Sequence, residues 1–159
     1  MDCSRFVADV HLAKLAKYLR LLGFDTLYFH SISDNALKKI AQEQNRIILT
    51  KDKELSLHPK AYLVKSQDVA KQIKEILHYC NTRECHPWSR CLVDNTPLIA
   101  VQKSKVEHLL PPKVKKSFEN FWQCPKCGRV YWHGSHYERM QKFIDEVCDK
   151  IQVQSGQED

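Results

Sequence analysis

Two sets of residues in the 159-residue chain have types and spacings suited to chemistry. The first is Cys124-Pro-Lys-Cys127, followed by Gly128. Two thiolates two residues apart can bind one tetrahedral ion, and the glycine permits the tight turn after the second. A structural zinc site takes four ligands. Cys91 lies upstream at the head of Cys-Leu-Val-Asp, where Asp94 holds the place a second knuckle cysteine would take. Carboxylate oxygen also binds zinc, so the expected set is Cys91, Asp94, Cys124 and Cys127, with Cys85, His86, His133 and His136 as nearby substitutes. A redox CxxC would need a thioredoxin-like βαβ context, which this region lacks. Cys3, Cys80 and Cys148 read as ordinary buried or incidental thiols.

The second set is acidic. Asp9 ends the apolar run Arg5–Asp9, and Asp52 follows Ile-Ile-Leu-Thr-Lys. Asp34 opens a helical pattern, and Asp68 follows another short apolar run. Carboxylates converging at one end of a sheet repel unless a cation neutralises them. An oxygen-rich site suits Mg²⁺ or Mn²⁺, which aligns a phosphate and activates water for in-line attack. Aspartate is also a common helix cap and turn residue, so spacing alone leaves both roles open.

The elements that must position these acids alternate between two periodicities. Strand-length runs occupy Arg5–Asp9, Thr26–His30, Arg46–Thr50 and Ala61–Lys65. Between the first two, Leu12, Leu15, Ala16, Leu19 and Leu22 form a helical stripe closed by Gly23. Lys14, Lys17 and Arg20 lie off that stripe and are candidate contacts for nucleic-acid phosphates. Ser33 is a good N-cap for a helix burying Ala36, Leu37, Ile40 and Ala41. Another begins at Asp68 and buries Val69, Ile73, Ile76 and Leu77, while Lys53–Leu57 is long enough only for a turn or two. The order is β-α-β-α-β-α-β with a helix to follow, which predicts a parallel sheet with right-handed crossovers. In such a sheet, residues just past the carboxyl ends of the strands share one crevice, and all four acids enter that rim.

The polar, turn-rich stretch Asn81–Ser89 marks a boundary. Residues 1–82 form the expected parallel-sheet unit, 83–151 a zinc ribbon plus C-terminal helix, and 152–159 a polar tail. The last helical stripe is Tyr137, Met140, Ile144, Val147 and Ile151. Lys113, Lys115 and Lys116 lie beside Phe118, Phe121 and Trp122, aromatics read chiefly as the ribbon's core. His11 is read as a bystander to Asp9.

The formal charge of +6 is uneven: +4 in residues 1–82, +6 in 83–142 and −4 in 143–159. A basic body suits a polyanionic partner. No signal sequence or membrane-length apolar run is visible. Seven cysteines including a CxxC, without a secretory signal, favour metal binding over a disulfide framework and predict a reducing cytoplasm.

Residues 5–22 (RFVADVHLAKLAKYLRLL), GFDTLY at 23–28 and IILTKDKEL at 47–55 resemble the PIN-like ribonuclease domain named for the C-terminal region of the Mut-seven exonuclease. Ser89-Arg90-Cys91, FWQCPKCGRVYW at 121–132 and Gly134-Ser135-His136 resemble that family's appended zinc ribbon. The likeness implies a PIN-like α/β fold and divalent-metal-dependent endoribonuclease activity. Asp9 and Asp52 match the family's acidic positions and would hold Mg²⁺ or Mn²⁺. Asp34 and Asp68 are looser matches, and Asp25 is a substitute for either. Asp94 departs from the pattern, where cysteine is expected. The alternative is a non-catalytic nucleic-acid-binding or partner-recruiting zinc-ribbon protein.

Overall fold

The computed structural model describes residues 3–82 and 84–148. Ile151 of the last stripe and the 152–159 tail lie outside the described residues. Four parallel strands, β1 (Arg5–Ala8), β2 (Asp25–Tyr28), β3 (Ile47–Thr50) and β4 (Ala61–Leu63), pair in the order β2-β1-β3-β4. Between them run α1 (Ala13–Leu21), α2 (Asp34–Gln44) and a short 3₁₀ turn at Leu55–Leu57, and α3 (Val69–Tyr79) follows β4. The expected mixed α/β architecture and parallel sheet are present.

Alternation along the strands explains the layers. Phe6, Ala8, Ile47 and Leu49 face one side with Leu15 and Leu19 of α1 and Ile73 and Ile76 of α3. Val7 and Ile48 face the other, with Leu37 and Ala41 of α2. Successive strand residues point to opposite faces, so runs buried throughout require cover on both sides. At about 25 cal/mol per Å² of apolar surface, this two-sided burial is the main force holding the sheet.

Local chemistry sets the helix boundaries. Ser33 Oγ accepts the Ala36 N–H and Asp68 accepts the Lys71 N–H, each satisfying an orphan donor of a first helical turn. Gly23 ends α1 at φ +94°, and a Cβ there would collide with the His86 backbone carbonyl. A side chain at this position is excluded by conformation and by space alike.

A second sheet holds β5 (Ile99–Val101), β6 (Phe121–Gln123) and β7 (Val130–Tyr131) in the antiparallel order β5-β6-β7. Short helices α4 (Lys103–Val106) and α5 (Pro112–Ser117) connect β5 to β6. The final helix, α6 (Ser135–Val147), lies against α1 and α3: Ile144 and Val147 join their apolar cluster.

Four cysteines correct the reading of their role. Cys3 pairs with Cys80 and Cys85 with Cys148, joining the start of β1 to the end of α3 and the end of α6 to the inter-unit stretch. They are neither incidental thiols nor, for Cys85, a spare zinc ligand. Spacing could not show this, because pairing is decided by which chain ends the fold brings together. Among the described residues, no helix is long and apolar enough to cross a membrane.

Candidate functional site

The three remaining cysteines meet Asp94. Ligand atoms of Cys91, Asp94, Cys124 and Cys127 all lie within 4.8 Å of one another, and they are the set expected from spacing. A tetrahedral ion with bonds of about 2.3 Å to sulfur and 2.0–2.2 Å to carboxylate oxygen sets ligand atoms roughly 3.5–3.8 Å apart. The Cys91 and Cys127 sulfurs are separated by 3.8 Å, and Cys124 Sγ lies 3.3 and 3.4 Å from the Asp94 oxygens. The geometry fits zinc.

The electrostatics point the same way. Burial works to raise the Asp94 carboxyl, but hydrogen bonds from Thr96, Cys124 and Cys127 outweigh it and hold the group far below the usual carboxylate range. An N–H···S bond involving Arg129 lowers the Cys127 thiol, yet desolvation and bonds to Cys124, Cys91 and Asp94 push it up to about 11. Three thiols beside a fixed carboxylate cannot all ionise without a compensating cation. None of the substitutes belongs to the gathered set. His133 is stacked between Trp122 and Tyr137, and His136 lies edge-on to Trp88.

Tyr131 supports the cluster from β7 of the ribbon. Its hydroxyl donates to Cys91 Sγ at 3.2 Å and accepts the Leu92 N–H at 3.1 Å. Arg20 is also part of this support, which corrects its assignment to nucleic-acid contact. It is 7% exposed; Nε donates to the Thr26 carbonyl, and Nη1 donates to the Leu92 and Val93 carbonyls between the two ligands. A guanidinium committed to three carbonyls is not offered to phosphate. Lys14 and Lys17 remain on the exposed face of α1.

The acids divide by their place on the sheet. Asp9 follows β1, Asp34 follows β2, Asp52 follows β3 and Asp68 follows β4, all beyond the carboxyl ends. Asp25, the possible substitute, begins β2 at the opposite end, paired with Arg46 at 2.8 Å and accepting from Asn95 at 2.6 Å. Burial works to raise Asp25, but the bonds from Arg46 and Asn95 outweigh it and hold the carboxyl below its ordinary value. It belongs to the scaffold.

Thr50, a residue not singled out from sequence, joins the two principal acids. Its hydroxyl donates to Asp9 Oδ2 at 2.8 Å and accepts the Asp52 N–H at 3.0 Å. Asp9 is 8% exposed, and its Oδ1 accepts the Val10 N–H. Asp52 is exposed; its Oδ1 accepts the Glu54 N–H at 2.8 Å, capping the following turn. Asp34 and Asp68 are exposed, and Asp68 caps α3. Among the described residues, the cysteine–aspartate set is the group of three or more His, Cys, Asp or Glu ligands gathered within 4.8 Å; the rim acids are more widely spread. Their donor chemistry is hard carboxylate oxygen, the type that divalent cations take, and the Thr50 hydroxyl bridges the Asp9 carboxylate to the Asp52 backbone.

The family model for the Mut7-C RNAse domain matches residues 4–144. No curated protein and no solved structure matches the chain.

Proposed function

Since the chain belongs to the Mut7-C RNAse domain family, we propose that it is a divalent-metal-dependent endoribonuclease working at the carboxyl edge of the parallel sheet. The observation that carries this reading is the arrangement of Asp9 and Asp52 about one threonine hydroxyl at that edge. Asp9 and Asp52 would hold Mg²⁺ or Mn²⁺, with Asp34 or Asp68 orienting water. The ion would supply charge neutralisation at the phosphate and a lowered pKa for the attacking water. The chain's own contribution is positional. Thr50 and the Val10 N–H fix both Asp9 oxygens, and the backbone turn at Glu54 fixes Asp52. Side chains held by hydrogen bonds keep their geometry as substrate arrives, which is how a short-lived arrangement becomes a usable one.

RNA as substrate accords with the family and with the basic balance of residues 1–142. The Cys91–Asp94–Cys124–Cys127 cluster is assigned a structural role, because four protein ligands leave no open position for substrate. The test is incubation of purified protein with a covalently closed circular RNA and Mg²⁺ or Mn²⁺. Linear products are expected; an RNA that stays circular while a linear one is shortened from an end would exclude the endonucleolytic reading.

A further inference from the structure

The two principal acids are held in different ways. Asp52 caps the turn that follows it, whereas Asp9 depends on residues from both strands that flank β1. Its backbone is fixed first: the Asp9 N–H donates to the Leu49 carbonyl in β3 at 2.9 Å, and the Asp9 carbonyl accepts the Leu12 N–H at 2.9 Å. What remains free is rotation of the carboxylate. On the β3 side the Thr50 hydroxyl donates to Oδ2 at 2.8 Å. The other oxygen, Oδ1, accepts the Val10 N–H at 2.6 Å.

Val10 is thus part of the acid's setting, and Val10 is itself held from β2. Tyr28, the last residue of β2, donates its hydroxyl to the Val10 carbonyl at 2.8 Å. The strand register explains the reach. Tyr28 stands opposite Ala8, the last residue of β1, and its ring packs against the apolar cluster to which Ala8 belongs. Val10 lies two residues past Ala8 on the neighbouring chain, so a long side chain is needed to meet it. Val10 follows β1 (Arg5–Ala8) and precedes α1 (Ala13–Leu21), so neither element's ladder fixes it. Its N–H and carbonyl go to Asp9 and Tyr28 instead.

The result is a chain of hydrogen bonds across three strands, from Tyr28 in β2 through Val10 and Asp9 to Thr50 in β3. Groups that hydrogen-bond to a metal ligand orient it, and losing one in direct contact costs about 10- to 100-fold in metal affinity or activity. A hydroxyl acting through an intervening residue should cost less.

We propose that Tyr28 is a positioning residue for the divalent ion at Asp9: its hydroxyl fixes Val10, Val10 fixes Asp9 Oδ1, and the carboxylate is set before the ion arrives. The proposal rests on the reading of Asp9 as a Mg²⁺ or Mn²⁺ ligand. Tyr28 acts through Val10 and contacts neither ion nor RNA, so it governs the ion's affinity and leaves RNA binding and the metal-saturated rate alone.

The same sheet supplies a control. Tyr62 of β4 also donates a hydroxyl, to Glu75 at 2.8 Å, in a bond that has no part in the chain from Tyr28 to Thr50. Zinc-loaded wild type, Tyr28→Phe, Tyr62→Phe and Asp9→Asn are titrated with Mn²⁺ without RNA, and free Mn²⁺ is read by electron paramagnetic resonance. Circular dichroism and zinc content check that each is folded. Wild type should bind an ion that Asp9→Asn loses. Tyr28→Phe keeps the ring and removes the hydroxyl, so its Mn²⁺ Kd should rise about five-fold, with Tyr62→Phe within about two-fold of wild type. In RNA cleavage, the Mn²⁺ concentration for half-maximal rate should rise by the same factor in Tyr28→Phe. Its rate at saturating Mn²⁺ and its Kd for RNA should stay within about two-fold of wild type. Wild-type Mn²⁺ affinity in Tyr28→Phe, or equal weakening in Tyr62→Phe, would overturn the positioning role and leave the nuclease reading standing. Mn²⁺ binding that is absent from wild type, or indifferent to Asp9→Asn, would overturn both.

Discussion

Replacing Arg20 by methionine should destabilise the whole molecule and loosen the metal site together. The guanidinium ties the first sheet to the Cys91–Asp94 segment: Nε donates to Thr26 in β2 at 2.8 Å, and Nη1 donates to Leu92 at 3.1 Å and Val93 at 2.9 Å. Burial lowers the Arg20 pKa, partly offset by the negative surroundings of Cys91, Asp94, Asp25 and Tyr131, and the bonds from Nε and Nη1 hold the buried group in place. Methionine retains most of the stem's packing but leaves three carbonyls without that donor. A buried acceptor left unpaired costs about 1–3 kcal/mol. Taking the two carbonyls nearest the knuckle and the one in the sheet, with some rescue by water, the loss is about 3–5 kcal/mol. With a urea m-value of about 2 kcal/mol/M, the midpoint should fall by roughly 2 M at unchanged m. Lysine, a point charge without the fork, should recover less than half. Urea unfolding followed by circular dichroism measures the first effect, and transfer of zinc to a chromogenic chelator measures the second. A midpoint shift under about 0.3 M, or zinc release at the wild-type rate, would refute the coupling.

Three further outcomes follow from individual contacts. Asp94→Ala should lower zinc retention and Asp94→Cys should raise it, measured by elemental analysis after dialysis; equal retention in both would remove Asp94 from the ligand set. Glu75 accepts from Tyr62, Lys65 and Ser66; burial works to raise its pKa, but these bonds outweigh it and hold it below the ordinary value. A depressed folded pKa contributes stability above the unfolded value and loses it as pH falls, so Glu75→Gln should be less stable than wild type at pH 6, with the gap closing below about pH 4. Cys85→Ser should cost about 2–4 kcal/mol by opening the 63-residue loop to Cys148, measured by thermal unfolding against wild type with and without reductant. A reductant-insensitive wild type would contradict it.

The fold was legible where one residue type had one physical role. Ser33 and Asp68 cap helices as their chemistry predicts, and Gly23 ends α1 where a Cβ would collide with His86. The metal cluster was legible because two residues between thiolates is a metal spacing. Arg20 was not, for a geometric reason. Lys14, Lys17 and Arg20 are three residues apart, and each step of 300° falls about 60° short of a full turn. By Arg20 the series has rotated about 120° from Lys14, onto the buried flank. Thr50 resembles any β-branched strand residue until Asp9 and Asp52 are seen on either side of its hydroxyl. The ribbon's strands, β5, β6 and β7, are two or three residues long, too short for alternation to register.

The central claim is that the acids around Thr50 carry the chemistry. Asparagine keeps the size of aspartate and removes the charge that would hold a divalent ion. The direct measurement is the rate of RNA cleavage under Mn²⁺ by wild type, Asp9→Asn and Asp52→Asn, each checked for zinc content and thermal stability. Both variants should bind RNA about as wild type does, remain folded, and lose cleavage by 10² or more, as expected when a metal's positioning ligand is removed. Wild-type cleavage rates in both variants would place the active site elsewhere in the molecule.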